Sequence, residues 1–258
     1  MALLLSVLEQ GMIYGILALG VYITYKILDF PDLTVDGSFP FGAAITVRLI
    51  NGFGVPAILT LPIAFLGGAL VGICTGLIHV KLKVRDLLSG IIMMTGLYTI
   101  NLWVAGSGYV AIFDKDNIFN NNFVNSITPD FLVNFKNVII IFLITMVAKY
   151  LLDWYMSTKS GFLLRAVGDN DTIVTSLGVD KGLVKIVGLS IANGLVSLSG
   201  CIYAQQQRSF EISIGTGAVV IGLASVIIGT SLFKKVTFFR VTSSVAVSYT
   251  HLRAHETS

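Results

Sequence analysis

Hydrophobic residues form long blocks along this chain, and short polar stretches separate the blocks. About 20 apolar residues in a helix span the hydrocarbon core of a bilayer, where unpaired backbone groups are prohibitive, so each long block predicts a membrane-spanning helix. Seven blocks qualify: 3–25, 34–50, 54–79, 87–107, 133–152, 182–205 and 216–233. A further block begins near residue 236 and would make an eighth span. The pattern therefore predicts an all-α, polytopic transmembrane helix bundle with about seven to eight spans.

Lysine and arginine residues indicate which connections face the cytoplasm, because short cytoplasmic loops are enriched in them. If the predicted spans alternate, one side carries Lys26, Lys81, Lys83, Arg85, Lys149, Lys159, Arg165, Lys181, Lys234, Lys235 and Arg240. The other side has fewer, and its longest connection, 113–131, is acidic and rich in asparagine. We therefore expect the N-terminus outside and the polar segment 158–181 inside.

Glycines in the third block recur every fourth residue, at Gly68, Gly72 and Gly76. This spacing places them on one face of a helix, where they allow close approach of a neighbouring backbone. We expect this face to be a helix-packing surface. Such stripes occur in every class of membrane protein and do not identify the function.

The segment "LLRAVGDNDTIVTSLGVD", residues 163–180, is unusually polar for this chain. Around it, Phe162, Leu163, Leu164 and Val167 form an apolar helix face opposite the charged residues. One interpretation is a solvated connector between spans. The other is a short amphipathic helix that docks into a groove on a partner protein.

A second polar stretch, "KILDFPDLTVDGSFPFGAA" (26–44), contains two prolines and the aspartates Asp29, Asp32 and Asp36. Ionisable groups at membrane depth often mark a pathway, and broken helices are tolerated where they are buried or line a cavity. We therefore take Asp29, Asp32, Asp36 and Phe39 as candidates for a translocation path. The alternative is a solvated turn in which Asp32 or Thr34 caps the next helix.

Composition agrees with a membrane protein and excludes several other classes. The 258 residues are 55% hydrophobic and 12% charged, whereas a soluble domain carries about 25% charged residues. The net charge of +3 does not suggest a nucleic-acid partner, and membrane lipid is the expected surrounding. Cys74 and Cys201 lie in apolar runs and are expected to be buried thiols rather than metal ligands.

Enzyme motifs are missing from the sequence, which has no P-loop, HExxH, CxxC or GxSxG pattern. We expect no catalytic residue, no metal site and no cofactor in this chain. Any ATP chemistry would be supplied by another polypeptide.

The strings "ILDFPDLTVDGSFPFGAAI", "GFLLRAVGDNDTIVTSLGV", "ANGLVSLSGCIYAQQQ" and "GLASVIIG" resemble the permease subunit of bacterial ABC importers. The branch is that of branched-chain amino acid and ribose permeases, and the closest group pairs with tryptophan- or tyrosine-type binding lipoproteins. The resemblance covers the chain to about residue 240. It implies a multi-pass protein of the bacterial plasma membrane that translocates a small solute, with an aromatic amino acid as the expected cargo.

The resemblance also implies partners: a second copy of the chain, an extracytoplasmic substrate-binding protein and an ABC ATPase subunit that binds ATP and Mg²⁺. In this family a polar cytoplasmic helix couples the permease to the ATPase. The residues carried over to that role are Arg165, Ala166, Gly168, Asp169, Asn170 and Gly178, with Gly168 expected to permit a turn.

The end of the chain departs from the family. Residues 247–258 resemble the in-frame translation of a transposase sequencing adapter, so we expect an artefact there and a C-terminally truncated permease domain over 1–246.

Two other functions stay open. The first is an ion-coupled secondary transporter in which Asp36 binds a proton or cation. The second is a structural or assembly protein of the membrane that transports nothing.

Overall fold

Helices make up most of the computed structural model, which describes residues 2–112, 115–121, 135–176 and 178–232. They are α1 (Ala2–Val21), α2 (Val35–Phe53), α3 (Thr60–Val80), α4 (Asp86–Ala105), α5 (Lys136–Met156), α6 (Lys159–Asp169), α7 (Asp171–Ser176), α8 (Lys181–Gln207) and α9 (Ala218–Leu232). Each predicted apolar block from residue 3 to residue 233 contains one of these helices. The predicted extra span near 236 and the predicted artefact at 247–258 lie outside the described residues.

Five of the described helical segments are long and apolar enough to cross a membrane: Leu4–Ile27, Ala57–Val80, Asp86–Ala105, Lys136–Met156 and Lys181–Gln207. The predicted membrane helix bundle is therefore confirmed. The total number of spans and the outside location of the N-terminus stay predictions.

The bundle has inner and outer helices. Of the membrane-length windows, those of α1 and α8 are each 67% buried, whereas those of α4 and α5 are each 22% buried. Helix α8 packs against α1, α2 and α3. It therefore occupies the centre, and the outer helices present leucine, isoleucine and tryptophan side chains at the surface, as lipid contact requires.

Two short strands depart from the purely helical prediction. Strand β1 (Tyr109–Ala111) pairs antiparallel with β2 (Ser209–Glu211), with Val110 opposite Phe210. The pair joins the connection after α4 to the end of α8. In the turn that follows β1, the Ile118 backbone N–H donates a hydrogen bond to the Gln205 side chain of α8 at 3.1 Å.

The glycine stripe of α3 lies directly on α8. A Cβ atom at Gly68 would overlap the carbonyl oxygen of Asn193, and one at Gly72 would overlap that of Leu189. At Gly76 it would come within 2.9 Å of Ile186 Cγ1. The two helix backbones can approach this closely only because these positions carry no side chain.

The two cysteines differ in environment. Cys201 is buried on α8, as predicted, with its sulfur 3.4 Å from the Thr60 hydroxyl. The prediction was wrong for Cys74, which is exposed. It lies on α3 away from the glycine stripe, on a face that α8 does not cover.

Candidate functional site

An irregular break separates α1 from α2. A π-helical turn, Tyr22–Ile27, extends α1, and residues 28–34 are then non-helical before α2 begins. Within this break, Asp29 adopts a left-handed backbone with φ of 51° and is exposed. The break thus places Asp29 at the surface and Asp32, three residues later, in the interior.

Asp32 is buried, with 5% of its surface exposed, and both of its carboxylate oxygens are hydrogen-bonded. Oδ1 accepts the Thr34 backbone N–H at 2.8 Å, and Oδ2 accepts the Asn193 Nδ2 group at 2.8 Å. The Ser38 hydroxyl donates to Asn193 Oδ1 at 2.6 Å. The carboxylate does bond the start of α2, but in a buried network rather than the solvated turn of the alternative interpretation.

The network and the packing beside it connect the break to α3, α4 and α8. Asn193 belongs to α8 and lies near its middle, so the network sits deep in the bundle. The Thr34 hydroxyl lies 3.1 Å from that of Thr75 on α3. Gly90 on α4 packs so closely that an added Cβ would lie 2.8 Å from the Leu33 backbone nitrogen. A movement of the break would therefore disturb contacts with α3, α4 and α8.

Asp36 fixes the start of α9. Its Oδ1 accepts the backbone N–H of Val219 at 2.8 Å, and its Oδ2 accepts that of Gly217 at 3.2 Å. Gly217 has a φ of 81°, a conformation that favours glycine. A carboxylate at this place satisfies N–H groups that a helix start leaves unpaired.

Phe39 belongs to an aromatic cluster of the core. Its ring stacks on Tyr14 with centroids 5.6 Å apart and lies 5.5 Å from the Tyr203 ring. The cluster joins α1, α2 and α8. The structure thus places three of the path candidates in different surroundings: Asp29 at the surface, Asp32 in a closed network and Phe39 in the core.

Asp36, in contrast, lines a cavity of about 360 Å³. The cavity lies between α2, α4 and the segment before α9, and its walls also contain Gly37, Pro40, Met94, Thr95, Tyr98, Asn101, Ile212 and Thr216. Asn101 and Tyr98 were not among the residues predicted from the sequence. The available signal was an asparagine inside an apolar span, which is uncommon in membrane helices.

The polar segment forms two short helices, α6 and α7. The Thr158 hydroxyl caps α6 by accepting the Gly161 N–H at 3.4 Å. Leu164 and Val167 are buried, as the amphipathic pattern predicts. Phe162, assigned to the same apolar face, is 61% exposed, and the Arg165 guanidinium carbon lies 6.0 Å from its ring centroid.

Helix α6 packs on the break. A Cβ at Gly168 would overlap the carbonyl oxygen of Ile27, the last residue of the π-helical turn. Leu164 and Leu28 meet at Gly188 of α8, where an added Cβ would lie 2.6 Å and 2.7 Å from their Cδ1 atoms. Ala166, half-buried, packs against the same core.

The expected role of Gly168 in a turn is wrong, because α6 continues through this residue to Asp169. Glycine is needed there for close contact with the break. The turn after α6 begins at Asn170, whose backbone is extended, and Gly178 supplies a φ of 74° before α8. Arg165 and Asp169 are exposed on α6.

Metal binding finds no support in the described parts of the chain, where no three His, Cys, Asp or Glu residues lie close enough together to hold an ion.

The sequence profile of the family described as "Branched-chain amino acid transport system / permease component" matches residues 3–251. The chain belongs to this family of membrane permease components. Members are transport subunits whose ATPase activity resides in a separate subunit.

Relatives agree with this assignment. A tyrosine transport system permease protein of Clostridioides difficile is 42% identical over 245 residues, covering 95% of this chain and 78% of the relative. An uncharacterized protein of Rickettsia prowazekii is 30% identical over 90% of this chain and 79% of its own length. The ribose import permease protein of Escherichia coli is 26% identical over 88% of this chain and 68% of its own length. No solved structure matches the chain significantly.

Proposed function

We propose that this chain is the membrane-spanning subunit of an ATP-binding cassette importer in a bacterial plasma membrane. Two copies form the translocation unit, and two ATPase subunits bind ATP and Mg²⁺ on the cytoplasmic side. An extracytoplasmic binding protein delivers an amino acid, for which the 42% identical tyrosine permease of Clostridioides difficile suggests an aromatic one. In this arrangement the N-terminus is outside and segment 158–181 is cytoplasmic.

The observation that supports this proposal most is the contact between α6 and the break. Gly168 touches the carbonyl of Ile27 with no side chain between them. A push on α6 would therefore reach the π-helical turn directly. Interior packing is dense and does not deform continuously, so such a push favours a switch between two arrangements.

The π-helical turn is a suitable place for that switch. Such turns are rare and occur often at functional sites. From Ile27 the displacement would pass to Asp32, and from Asp32 through Asn193 to α8. ATP binding by the partner would thus bias the membrane bundle toward one of two states.

The exposed face of α6 supplies the docking surface. Phe162 offers an apolar anchor, and Arg165 beside it offers a planar cation that can bind a carboxylate with two hydrogen bonds. Aromatic and arginine side chains are the residues that contribute most to protein interfaces. Asp169 extends the same face with a negative charge.

Reconstitution of the complex in liposomes tests the proposal. The permease, its ATPase and its binding protein should accumulate labelled L-tyrosine when ATP is trapped inside. Replacing the Walker lysine of the ATPase by alanine should abolish uptake. Uptake that survives this replacement and needs an ion gradient would instead support the ion-coupled transporter with Asp36. No uptake of any amino acid under either condition would favour a structural role.

A further inference from the structure

Asn101, on α4, is a fully buried side chain with an unused hydrogen-bond acceptor. Its Nδ2 group donates to the Gly37 carbonyl oxygen at 3.1 Å. Its Oδ1 atom has no hydrogen-bond partner among the described residues. Burying an unpaired acceptor is costly, and a bound ligand or ion is one explanation for such a group in a native protein. Asn101 is also one of the residues that line the cavity between α2 and α4, which places its side chain at the wall of that cavity.

Asp36 adds a negative charge to the same wall. Within the described chain no lysine or arginine forms an ion pair with it. The N-terminus of α9 that it caps carries a partial positive charge of only about half a unit. The cavity therefore favours a ligand group that is cationic and donates hydrogen bonds.

The remaining walls are mostly apolar. Pro40, Met94 and Ile212 contribute aliphatic surface, and Tyr98 contributes a ring. The volume of about 360 Å³ lies within the range of about 300–1,000 Å³ that is usual for small-molecule sites. A molecule with one ammonium group and an apolar or aromatic body fits this combination of walls.

We propose that this cavity is a solute site in the permease itself, where Asn101 Oδ1 and the Asp36 carboxylate bind the ammonium group of the transported amino acid. The side chain of the solute then contacts Tyr98 and Met94. The inference rests on the proposed function, because it assigns the recognition of the importer's solute to a place in the membrane bundle.

Protection of a cysteine in the cavity wall tests the site directly. In the assembled complex with Cys74 replaced by alanine, Thr95→Cys places a thiol in the wall and Ile100→Cys places one on α4 outside the cavity. L-tyrosine and tyramine, which both carry the ammonium group, should slow alkylation by N-ethylmaleimide at position 95. At about ten times the dissociation constant the rate should fall about tenfold. The control at position 100 should not respond.

A comparison of ligands tests recognition of the ammonium group while Asn101 and Asp36 stay unchanged. The deaminated analogue 3-(4-hydroxyphenyl)propionate should give no protection at position 95. Equal protection by this acid would overturn the inference, as would protection by sodium ions alone. Adding Asn101→Leu to the Thr95→Cys chain should weaken protection by L-tyrosine about tenfold or more, because it removes a hydrogen bond to a charged group.

Failure of the inference is distinguishable from failure of the proposed function. ATP-driven tyrosine uptake by the unaltered complex, without protection at position 95 by either amine, contradicts the cavity site alone. Absence of ATP-driven uptake contradicts the proposed function, and the inference falls with it.

Discussion

The break between α1 and α2 and the polar segment 158–181 are both rich in aspartate, yet Asp32 and Asp169 lie in opposite environments. Asp32 of the break is buried, and both of its oxygens are bonded within the chain. Asp169 of the polar segment is exposed, next to the exposed Arg165 side of α6. The first region joins helices to each other, whereas the second presents charged groups at a surface.

Polar residues in a membrane chain therefore have two uses that composition does not separate. The break obtains its partners from α3, α4 and α8, far away in sequence. The buried side of the polar segment packs on the break, and its other side is exposed. Substitutions in the two regions should therefore affect different properties.

Asn193→Leu should have the largest effect, because it leaves the Asp32 carboxylate buried without its side-chain partner. We expect a loss of about 2–4 kcal/mol in the free energy of unfolding, measured by denaturation in detergent. Asn51→Leu is the matched control: the Asn51 side-chain amide donates a hydrogen bond to the Ala111 backbone carbonyl, but it is exposed. Equal stability of the two variants would show that the buried network does not hold the break.

Gly168→Ala should come second. The new methyl group would overlap the Ile27 carbonyl oxygen, so α6 has to move away from the break, at a cost of about 1–3 kcal/mol. The rate of ATP-driven uptake should fall by more than the loss of folded protein explains, because the coupling contact is lost. Gly96→Ala on α4, where an added Cβ meets nothing within 4 Å, is the control and should change neither property. Normal uptake by the Gly168 variant would exclude this contact from coupling.

Gly178→Ala should have a smaller effect of a different origin. An added Cβ at this residue meets nothing within 4 Å, but its φ of 74° is strained for alanine. The expected cost is about 1–2 kcal/mol, from the left-handed backbone alone. Gly178→Asn, which tolerates this conformation better, should recover part of the loss in the same unfolding measurement. If alanine and asparagine are equally well tolerated, the turn before α8 is not rigid.

Arg165→Ala should have the smallest effect on unfolding, within about 0.5 kcal/mol, because the side chain is exposed. It should nevertheless weaken association with the ATPase, measured by co-purification in increasing salt. Loss of folding stability without loss of association would reverse the contrast between the two regions.

Much of the fold could be predicted from the sequence. The long apolar blocks predicted the helices α1 to α5, α8 and α9, because length and hydropathy alone indicate a membrane helix. The every-fourth spacing of Gly68, Gly72 and Gly76 predicted a packing face, which in the structure lies on α8. The identity of the partner helix was not predictable, since glycine spacing shows a close approach but not what approaches.

The candidate site was harder to predict from the sequence, because the hydrogen-bond partners of its residues are distant in sequence. Nothing near Asp32 indicates that Asn193 donates to it, and nothing near Asp36 indicates that it caps α9. Gly168 was assigned to a turn because turns commonly need glycine, whereas tertiary packing on Ile27 explains this residue. Phe162 fitted the apolar stripe of α6 by spacing, but the buried side of α6 is narrower than the stripe.

The central claim, that α6 docks on the ATPase and moves with it, is tested most directly by site-specific crosslinking in the assembled complex. Cysteines at Arg165 and Asp169, both exposed on α6, are paired with cysteines in the ATPase groove, and a cysteine at Gln207, at the opposite end of α8, is the control. We expect crosslinks from the two α6 positions, with yields that change on addition of ATP, and none from position 207. Absence of crosslinks from both α6 positions in an assembled, ATP-hydrolysing complex would contradict the account.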